Sequence, residues 1–430
     1  MKDFYKLLGN ALIVAIKNNF VWFALTYWAY LSTRSVISTS LVGGTFLVAA
    51  AISSFWFGSI VDHHRKKYVL LGSSVVTLVL FALSLILVNI FPASAFSSVA
   101  SPALWLFILL LLGGVIMGSF YAIAVPTLVT VLVPEDMRDK ANGMFGTVMG
   151  ISFAITSVAS GIVLAFGGMT WVLSIAVVLT ILSILHLLTI PIAEKKIIHS
   201  DAHPNKIDVK GTIVAIRAIP GLFALIFFTT FNNFVGGVFM ALMDAYGLSL
   251  VSVQTWGILW GVLSLGFIFG GLYIARFGLG ENPVRNLFRI NMVLWTVCIF
   301  FTIQPSIILL AVGALIYMIL MPFIEATEQT IIQKVVPHER QGRVFGFAHS
   351  VEQAASPLTA FLIGPITQLF FIPFMTTGSG ADLIGNWFGV GPSRGIALVF
   401  TLSGMVGLVV TLIAMRSRQY RLLAERYAGK

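Results

Sequence analysis

Charge is scarce in this chain of 430 residues: charged side chains make up 10%, hydrophobic ones 58%, and mean hydropathy is +0.98. Such a balance excludes a soluble globular domain and fits a chain that crosses a bilayer many times. Cysteine is almost absent. Cys298 is the single one, which rules out an intrachain disulfide and reads as a small buried hydrophobe. No Cys/His spacing offers a structural metal site and no Gly-Lys-Ser/Thr loop offers a nucleotide site, so neither a metal nor another cofactor is expected.

What is present is a succession of apolar runs. A bilayer-spanning helix needs ~20 mostly apolar residues, and twelve such runs can be placed, at 7–31, 40–61, 68–92, 103–132, 141–166, 169–193, 219–243, 253–275, 286–304, 305–333, 345–371 and 393–415. The expected fold class is therefore an all-α polytopic membrane protein with 12 transmembrane helices. The first run is too long for a signal peptide, carries Lys17 and lacks a small-x-small cleavage site, so it reads as the first span. Net charge is +10, but its placement argues against nucleic acid as a partner. If alternate loops are assigned to one side, all Lys and Arg except Lys17, Arg34 and Arg394 fall on the side of the two termini. By the positive-inside rule both termini are expected in the cytoplasm and the chain in the cytoplasmic (inner) membrane of the cell. The tail "RSRQYRLLAERYAGK" reads as a solvated or headgroup-facing helix end.

The longest polar segment divides six runs from six, predicting an N-terminal half at 1–193, a cytoplasmic linker at 194–212 and a C-terminal half at 213–430. Internal similarity supports a duplication. "VPEDMRDKANGMFG" (133–146) and "VPHERQGRVFGFAH" (336–349) occupy the same loop of each half, and Asn-Asn-Phe-Val occurs in the first run of each half, at 18–21 and 232–235. Two pseudo-symmetric six-helix halves with a site at their interface near mid-bilayer suit a secondary transporter.

After the second run comes "FGSIVDHHRKKYVLLG", where Gly58 and Asp62 share one helical face and Arg65, Lys66 and Lys67 follow. Taken alone this is a helix end followed by positive-inside charge. It resembles the Gly-x-x-x-Asp-(Arg/His)-x-x-(Arg/Lys)-(Arg/Lys) loop of the major facilitator superfamily. The resemblance implies a conformational latch of Gly58, Asp62, Arg65 and Lys66, with the aspartate docked on the N-terminus of the eleventh span. The corresponding loop, "GGLYIARFGLGENPVRN", has Ile274 and Ala275 where an aspartate would be needed, so the latch is expected on one half only. "IIQKVVPHERQGRVFGF" and "VPEDMRDKANGMFG" narrow the resemblance to the macrolide-efflux-type drug exporters of that superfamily, over essentially the whole chain. The fifth run lacks the Gly-Pro pair of the antiporter motif, which leaves proton antiport less secure than fold.

In that architecture runs one, four, seven and ten line a central cavity, and polar groups in hydrocarbon mark function. Run one offers Lys17, Asn18 and Asn19, run seven Asn232 and Asn233, run ten Glu325 and Glu328, and run four only Ser119 and Tyr121. Asn233, Gly237, Met240 and Asp244 share a helical face. Adjacent asparagines point about 100° apart, so at most one of each pair faces the cavity squarely and the other bonds a neighbouring helix. A Lys17 pair with Glu325 or Glu328 is the sharpest expectation. Glu352, with His349 one turn earlier, is a second titratable pair, read either as a proton site or as a structural carboxylate. Trp22, Phe23, Tyr27, Phe239, Met240 and Tyr317 supply apolar cavity surface, and Glu325, Glu328, Glu352 and Asp244 are the candidates for proton coupling. The outer segment 370–398, with Trp387 and Phe388, reads as interfacial.

The expected activity is export of a small amphipathic or hydrophobic compound, multidrug or macrolide-like, by proton antiport and alternating access. The partners are that substrate, protons and the lipid bilayer, and the chain is expected to act as a monomer. A lipid or lysolipid exporter or flippase is the alternative within transport. A membrane-embedded lipid-modifying enzyme would need a clustered catalytic carboxylate or His on an interfacial loop, and a non-transporting sensor would not need titratable groups on cavity helices.

Overall fold

The computed structural model describes residues 2–33, 36–98, 100–192 and 209–428. Among these residues the regular structure is helical throughout. Ten helical stretches are long and apolar enough to cross a membrane. One of them, Glu135–Leu188, contains α6 (Arg138–Leu188), which breaks at Gly168. There φ is +60° and ψ −165°, a left-handed conformation that glycine adopts without a Cβ clash, so the chain reverses between the fifth and sixth spans. The ninth span, α10 (Pro283–Phe300), stands outside the ten because its first half carries Arg285, Asn286, Arg289 and Asn291. The twelve apolar runs are thereby all helical.

The remaining spans are α1 (Lys2–Thr33), α2 (Val36–His63), α3 (Lys66–Ile90), the fourth span made of α4 (Pro102–Ile116) and α5 (Ser119–Leu132), α8 (Leu222–Leu248), α9 (Val253–Phe277), α11 (Ile307–Val335), α12 (His338–Ile366) and α15 (Pro392–Arg416). Short α7 (Val209–Arg217) precedes α8. The proposed linker lies almost wholly outside the described residues, as does Arg34.

Packing repeats between the halves. The first span lies on the fifth, through Phe4 on Phe145 and Phe23 on Phe153, as the seventh lies on the eleventh, where Ser356 Oγ donates to the Asn233 carbonyl at 2.8 Å. The third packs on the sixth as the ninth packs on the twelfth. Between halves, α2 meets α12 and the first limb of α6 meets α9. Glycines permit both approaches: a Cβ at Gly58 would stand 2.6 Å from the Gly342 carbonyl oxygen, and one at Gly150 2.8 Å from the Ile268 nitrogen.

Two segments differ from expectation. Between α12 and α15 the chain forms a π-helical turn, α13 (Ile372–Thr376) and α14 (Ser379–Phe388). Trp387 is exposed, as an interfacial residue would be, but Phe388 is buried under the Arg394 guanidinium, 4.2 Å from ring centroid to Cζ. Arg394 itself is buried rather than solvated, donating to the carbonyls of Phe388, Thr302 and Ile303 and to the Tyr246 hydroxyl. α16 (Arg418–Tyr427) is an amphipathic helix with Leu423 buried against Gly221 and the Tyr427 ring 4.4 Å from Lys334 Nζ. Burial, with the carboxylates of Asp139 and Glu135 nearby, pushes the Tyr427 hydroxyl up to about 12.

Candidate functional site

Seven helices from the two halves surround a cavity of about 420 Å³, a volume ordinary for small-molecule sites. On α1, Ala11, Val14, Ala15 and Asn18 line it, an i, i+3, i+4, i+7 stripe. Asn18 therefore faces the cavity. Its neighbours in sequence lie about 100° to either side, and they point into the protein. Lys17 is 1% exposed with its Nζ 5.7 Å from the Phe81 ring of α3, and it has no hydrogen-bond or ion-pair partner among the described residues. Asn19 Nδ2 donates to Ser152 Oγ on α6 at 3.0 Å. The pair expected between Lys17 and Glu325 or Glu328 is thus not formed, because the helix rotation that presents Asn18 turns Lys17 toward α3.

The stripe on α8 is Thr229, Asn232, Asn233 and Gly236. Asn232 is held by α10: its Nδ2 donates to Asn291 Oδ1 at 2.8 Å and its Oδ1 accepts from Trp295 Nε1 at 3.2 Å. Asn233 Nδ2 donates to the Thr229 carbonyl at 3.1 Å. The face that runs through Gly237, Met240 and Asp244 leaves the cavity. Gly237 abuts Ser356 of α12, Met240 is 63% exposed and absent from the cavity wall, and Asp244 accepts from Trp256 Nε1 (2.9 Å) and Trp260 Nε1 (3.2 Å) of α9. Trp22 and Tyr27 are also off this wall: Trp22 stacks near Phe46 and Tyr27 beside Phe23. Tyr121 lines it by its ring, while its hydroxyl donates to Asn10 Oδ1 at 2.8 Å.

The acidic wall is built by α11 and α12. Tyr317, Met321, Glu325, Glu328 and Gln329 come from the first, and Phe345, His349, Glu352 and Gln353 from the second. Thr229 Oγ1 lies 3.1 Å from Glu328 Oε1 and 2.7 Å from Glu352 Oε1, so one hydroxyl serves two carboxyl groups from two helices. Glu325 is exposed to the cavity and makes no hydrogen bond among the described residues. His349 Nδ1 is 2.8 Å from Ser54 Oγ of α2, and Ser54 is also 2.7 Å from the Ala50 carbonyl. With the single hydroxyl proton given to Ala50, the imidazole proton is assigned to Nδ1. No Lys or Arg lines the cavity among the described residues.

Below the cavity, on the side of the termini, the halves are joined by a polar floor. Asn142 Nδ2 donates to Thr330 Oγ1 (2.8 Å) and Gln333 Oε1 (2.9 Å), Gln333 Nε2 donates to the Pro126 carbonyl (2.8 Å), and Thr130 Oγ1 donates to Gln341 Oε1 (2.9 Å). Asp62 is 4% exposed and accepts from the backbone N–H of Gly342 (2.6 Å) and Arg343 (2.8 Å) and from Arg343 Nε (3.1 Å). It therefore meets the start of α12, with Lys66 buried beside it and Arg65 exposed at the start of α3. A matching contact exists on the other half in reversed form. Asp139, at the start of α6, accepts from the Leu279 N–H at 2.8 Å just after α9 ends, with Gly278 at φ +74° making room for the carboxylate. Where Ile274 and Ala275 supply no aspartate, a carboxylate on the facing helix thus makes the contact instead.

Sequence reading missed Thr229, Asn291, Asn142, Gln333 and Arg343. A threonine or glutamine in a span is an unremarkable polar residue until a partner from another helix gives it a bond. Only Arg343, in the charged loop just ahead of the predicted span at 345–371, carried a signal.

A family model described as the Major Facilitator Superfamily matches residues 7–360. Macrolide efflux protein A of Streptococcus pyogenes is 22% identical over 406 residues, 90% of this chain and 91% of the relative. Among solved structures, the human organic anion transporter MFSD10 (TETRAN) superposes with a TM-score of 0.72 at 12% identity, covering 98% of this chain and 99% of its own. A bacterial homologue of the iron transporter ferroportin in its outward-facing state superposes with a TM-score of 0.68 at 13% identity, covering 97% and 100%. At those identities the structural likeness speaks for the fold.

Proposed function

The chain is a member of the major facilitator superfamily, a membrane transport family, and from that premise we propose that it exports amphipathic cations from the cytoplasm in exchange for protons. The observation that carries this reading is the cavity wall: three carboxyl groups, aromatic surface from Tyr121, Phe145, Trp295 and Tyr317, and no Lys or Arg among the described residues. With Lys17 turned away, the argument for an anionic substrate loses its residue, and a cation gains both charge and ring contacts. The relationship to macrolide efflux protein A supports the outward direction and an amphipathic cargo.

In this reading the protein is a monomer in the cytoplasmic membrane, and the side bearing both termini and the basic loops faces the cytoplasm. Residues 1–193 and 213–430 rock as two bodies about the cavity. In this reading the bonds from Asp62 to α12, the polar floor and the Asp139 contact hold the cytoplasmic side closed. The Asp62 carboxylate on the first N–H groups of α12 is worth ~0.3–2 kcal/mol, enough to bias two states and weak enough to break each cycle.

The test is reconstitution in proteoliposomes with an imposed pH gradient, screening cationic dyes, macrolides and lysolipids, with Glu325→Gln as control. Cation movement driven by the gradient, and weakened at low cation concentration in Glu325→Gln, is expected. Lysolipid movement indifferent to the gradient would instead support the lipid-exporter reading, and movement of neither class would overturn both.

A further inference from the structure

We infer that the coupling proton is held between Glu328 and Glu352, with Thr229 as the positioning residue that makes them one site, and that Glu325 is left as the counter-charge for the substrate's cationic head. This inference rests on the exporter reading and divides its three carboxyl groups into two roles.

Counting protons leads to it. Thr229 Oγ1 has four acceptors within reach: Glu352 Oε1 at 2.7 Å, Ile226 O at 3.0 Å, Glu328 Oε1 at 3.1 Å and Leu225 O at 3.3 Å. A hydroxyl carries one proton. If both carboxyl groups were ionised, at least one carboxylate oxygen would face only lone pairs across the hydroxyl of Thr229, a residue 2% exposed, and two like charges would stand side by side. A single added proton resolves this: Glu328 donates to Glu352, with which its side chain is in direct hydrogen-bond contact, and Thr229 donates its own proton to the same ionised Glu352. The shorter distance to Glu352 fits donation to the ionised member, since bonds to a carboxylate are shorter than neutral ones. The structure thus has the geometry of a dyad holding one proton.

Glu325 is outside this arrangement. It precedes Glu328 by three residues on α11, is exposed to the cavity and bonds nothing among the described residues. The groups that face the dyad are few. α11 contributes Glu325, α12 His349, α5 the Tyr121 ring and α8 the neutral Asn232 and Asn233, while α1 presents Asn18 and turns Lys17 to Phe81. Among the described residues no Lys or Arg stands at the cavity wall to compensate the three acids, so proton and substrate cation are the available counter-charges. Filling one site weakens the field that holds the other, and that coupling is reciprocal. The dyad also reports to the gate: His349, one turn from Glu352 on α12, bonds Ser54 of α2, and the start of the same helix is held by Asp62.

The experiment uses the full chain in proteoliposomes with tetraphenylphosphonium as the probe cation and a trapped pH dye, comparing the parent with Thr229→Val, Thr229→Ser and Glu325→Gln. In Thr229→Val the parent's pH dependence of cation transport is expected to flatten and proton flux per cation to fall about tenfold, the scale of one hydrogen bond to a charged group. KM for the cation at fixed pH changes far less, and Thr229→Ser restores coupling. Glu325→Gln does the reverse, raising KM about tenfold while leaving the pH dependence in place. As a second readout, the protonated-carboxyl C=O band in the infrared difference spectrum between acid and alkaline buffer is expected to vanish in Glu328→Gln and in Glu352→Gln and to persist in Glu325→Gln. A parent-like pH profile in Thr229→Val, or a band lost in Glu325→Gln alone, overturns the inference. A parent that moves cations without any proton exchange sinks the antiport reading instead.

Discussion

The two walls of the cavity come from helices at matching places in the two halves, yet one is neutral and the other acidic. On the first half, α5 and the first limb of α6 contribute Tyr121 and Phe145; on the second, their counterparts α11 and α12 contribute Glu325, Glu328 and Glu352. The repeated Asn-Asn pairs diverge in the same way. Asn19 leaves the cavity to bond Ser152, whereas its counterpart Asn233 stays on it, bonded to the Thr229 carbonyl of its own helix. A repeated tetrapeptide fixes a place along a helix, but the partner it finds depends on the neighbouring helices. The gates teach a related lesson. Asp62 reaches from the end of α2 to the start of α12, while Asp139 reaches from the start of α6 to the end of α9, so the same closure is made with the carboxylate on opposite partners.

Neutralising the acidic wall removes the difference most completely. The double substitution Glu328→Gln, Glu352→Gln is expected to cut gradient-driven accumulation of a cation by about 100-fold, the upper range of a coupling free energy between two ligands; uptake with and without a pH gradient measures it. Next comes the helix contact at the gate. In Gly58→Ala a methyl meets the Gly342 carbonyl oxygen at 2.6 Å, and overpacking of ~1–3 kcal/mol shifts the population toward an open cytoplasmic side by about tenfold. Spin labels at Asp136 and Glu281 in a Cys298→Ala background would read this as a longer distance, and an unchanged distribution would count against the closure described here.

The two carboxylate contacts can be ranked with the same labels. Asp62→Asn loses a charge that accepts three hydrogen bonds from α12, so a shift of about fivefold to tenfold is expected, against about threefold for Asp139→Asn, which accepts one bond across the gate. Equal shifts would mean that charge, not bond count, sets the contribution. The smallest effect belongs to Lys17→Met. Lys17 is buried without an ion pair, so transport should stay within about twofold of the parent and thermal stability should hold or rise, because an uncompensated buried cation is costly. A large loss of transport would place Lys17 in the mechanism of another conformation.

Much of this protein is written locally in its chain. A span is recognised because some twenty consecutive residues must all be apolar, and the positive side because lysine and arginine cluster in alternate loops; neither needs knowledge of a distant partner. Twelve helices, the break at Gly168, the Asp62 motif and the family were therefore legible, as was the presence of Glu325, Glu328 and Glu352 within spans. What tertiary structure alone decided was rotation. Each residue turns a helix by about 100°, so whether Lys17, Asn18 or Asn19 meets the cavity depends on how α1 seats against α3 and α6. The meeting of Glu328 and Glu352 at Thr229 joins helices separated by 99 and 123 residues, a distance over which hydropathy and spacing carry no information and only packing can set the geometry.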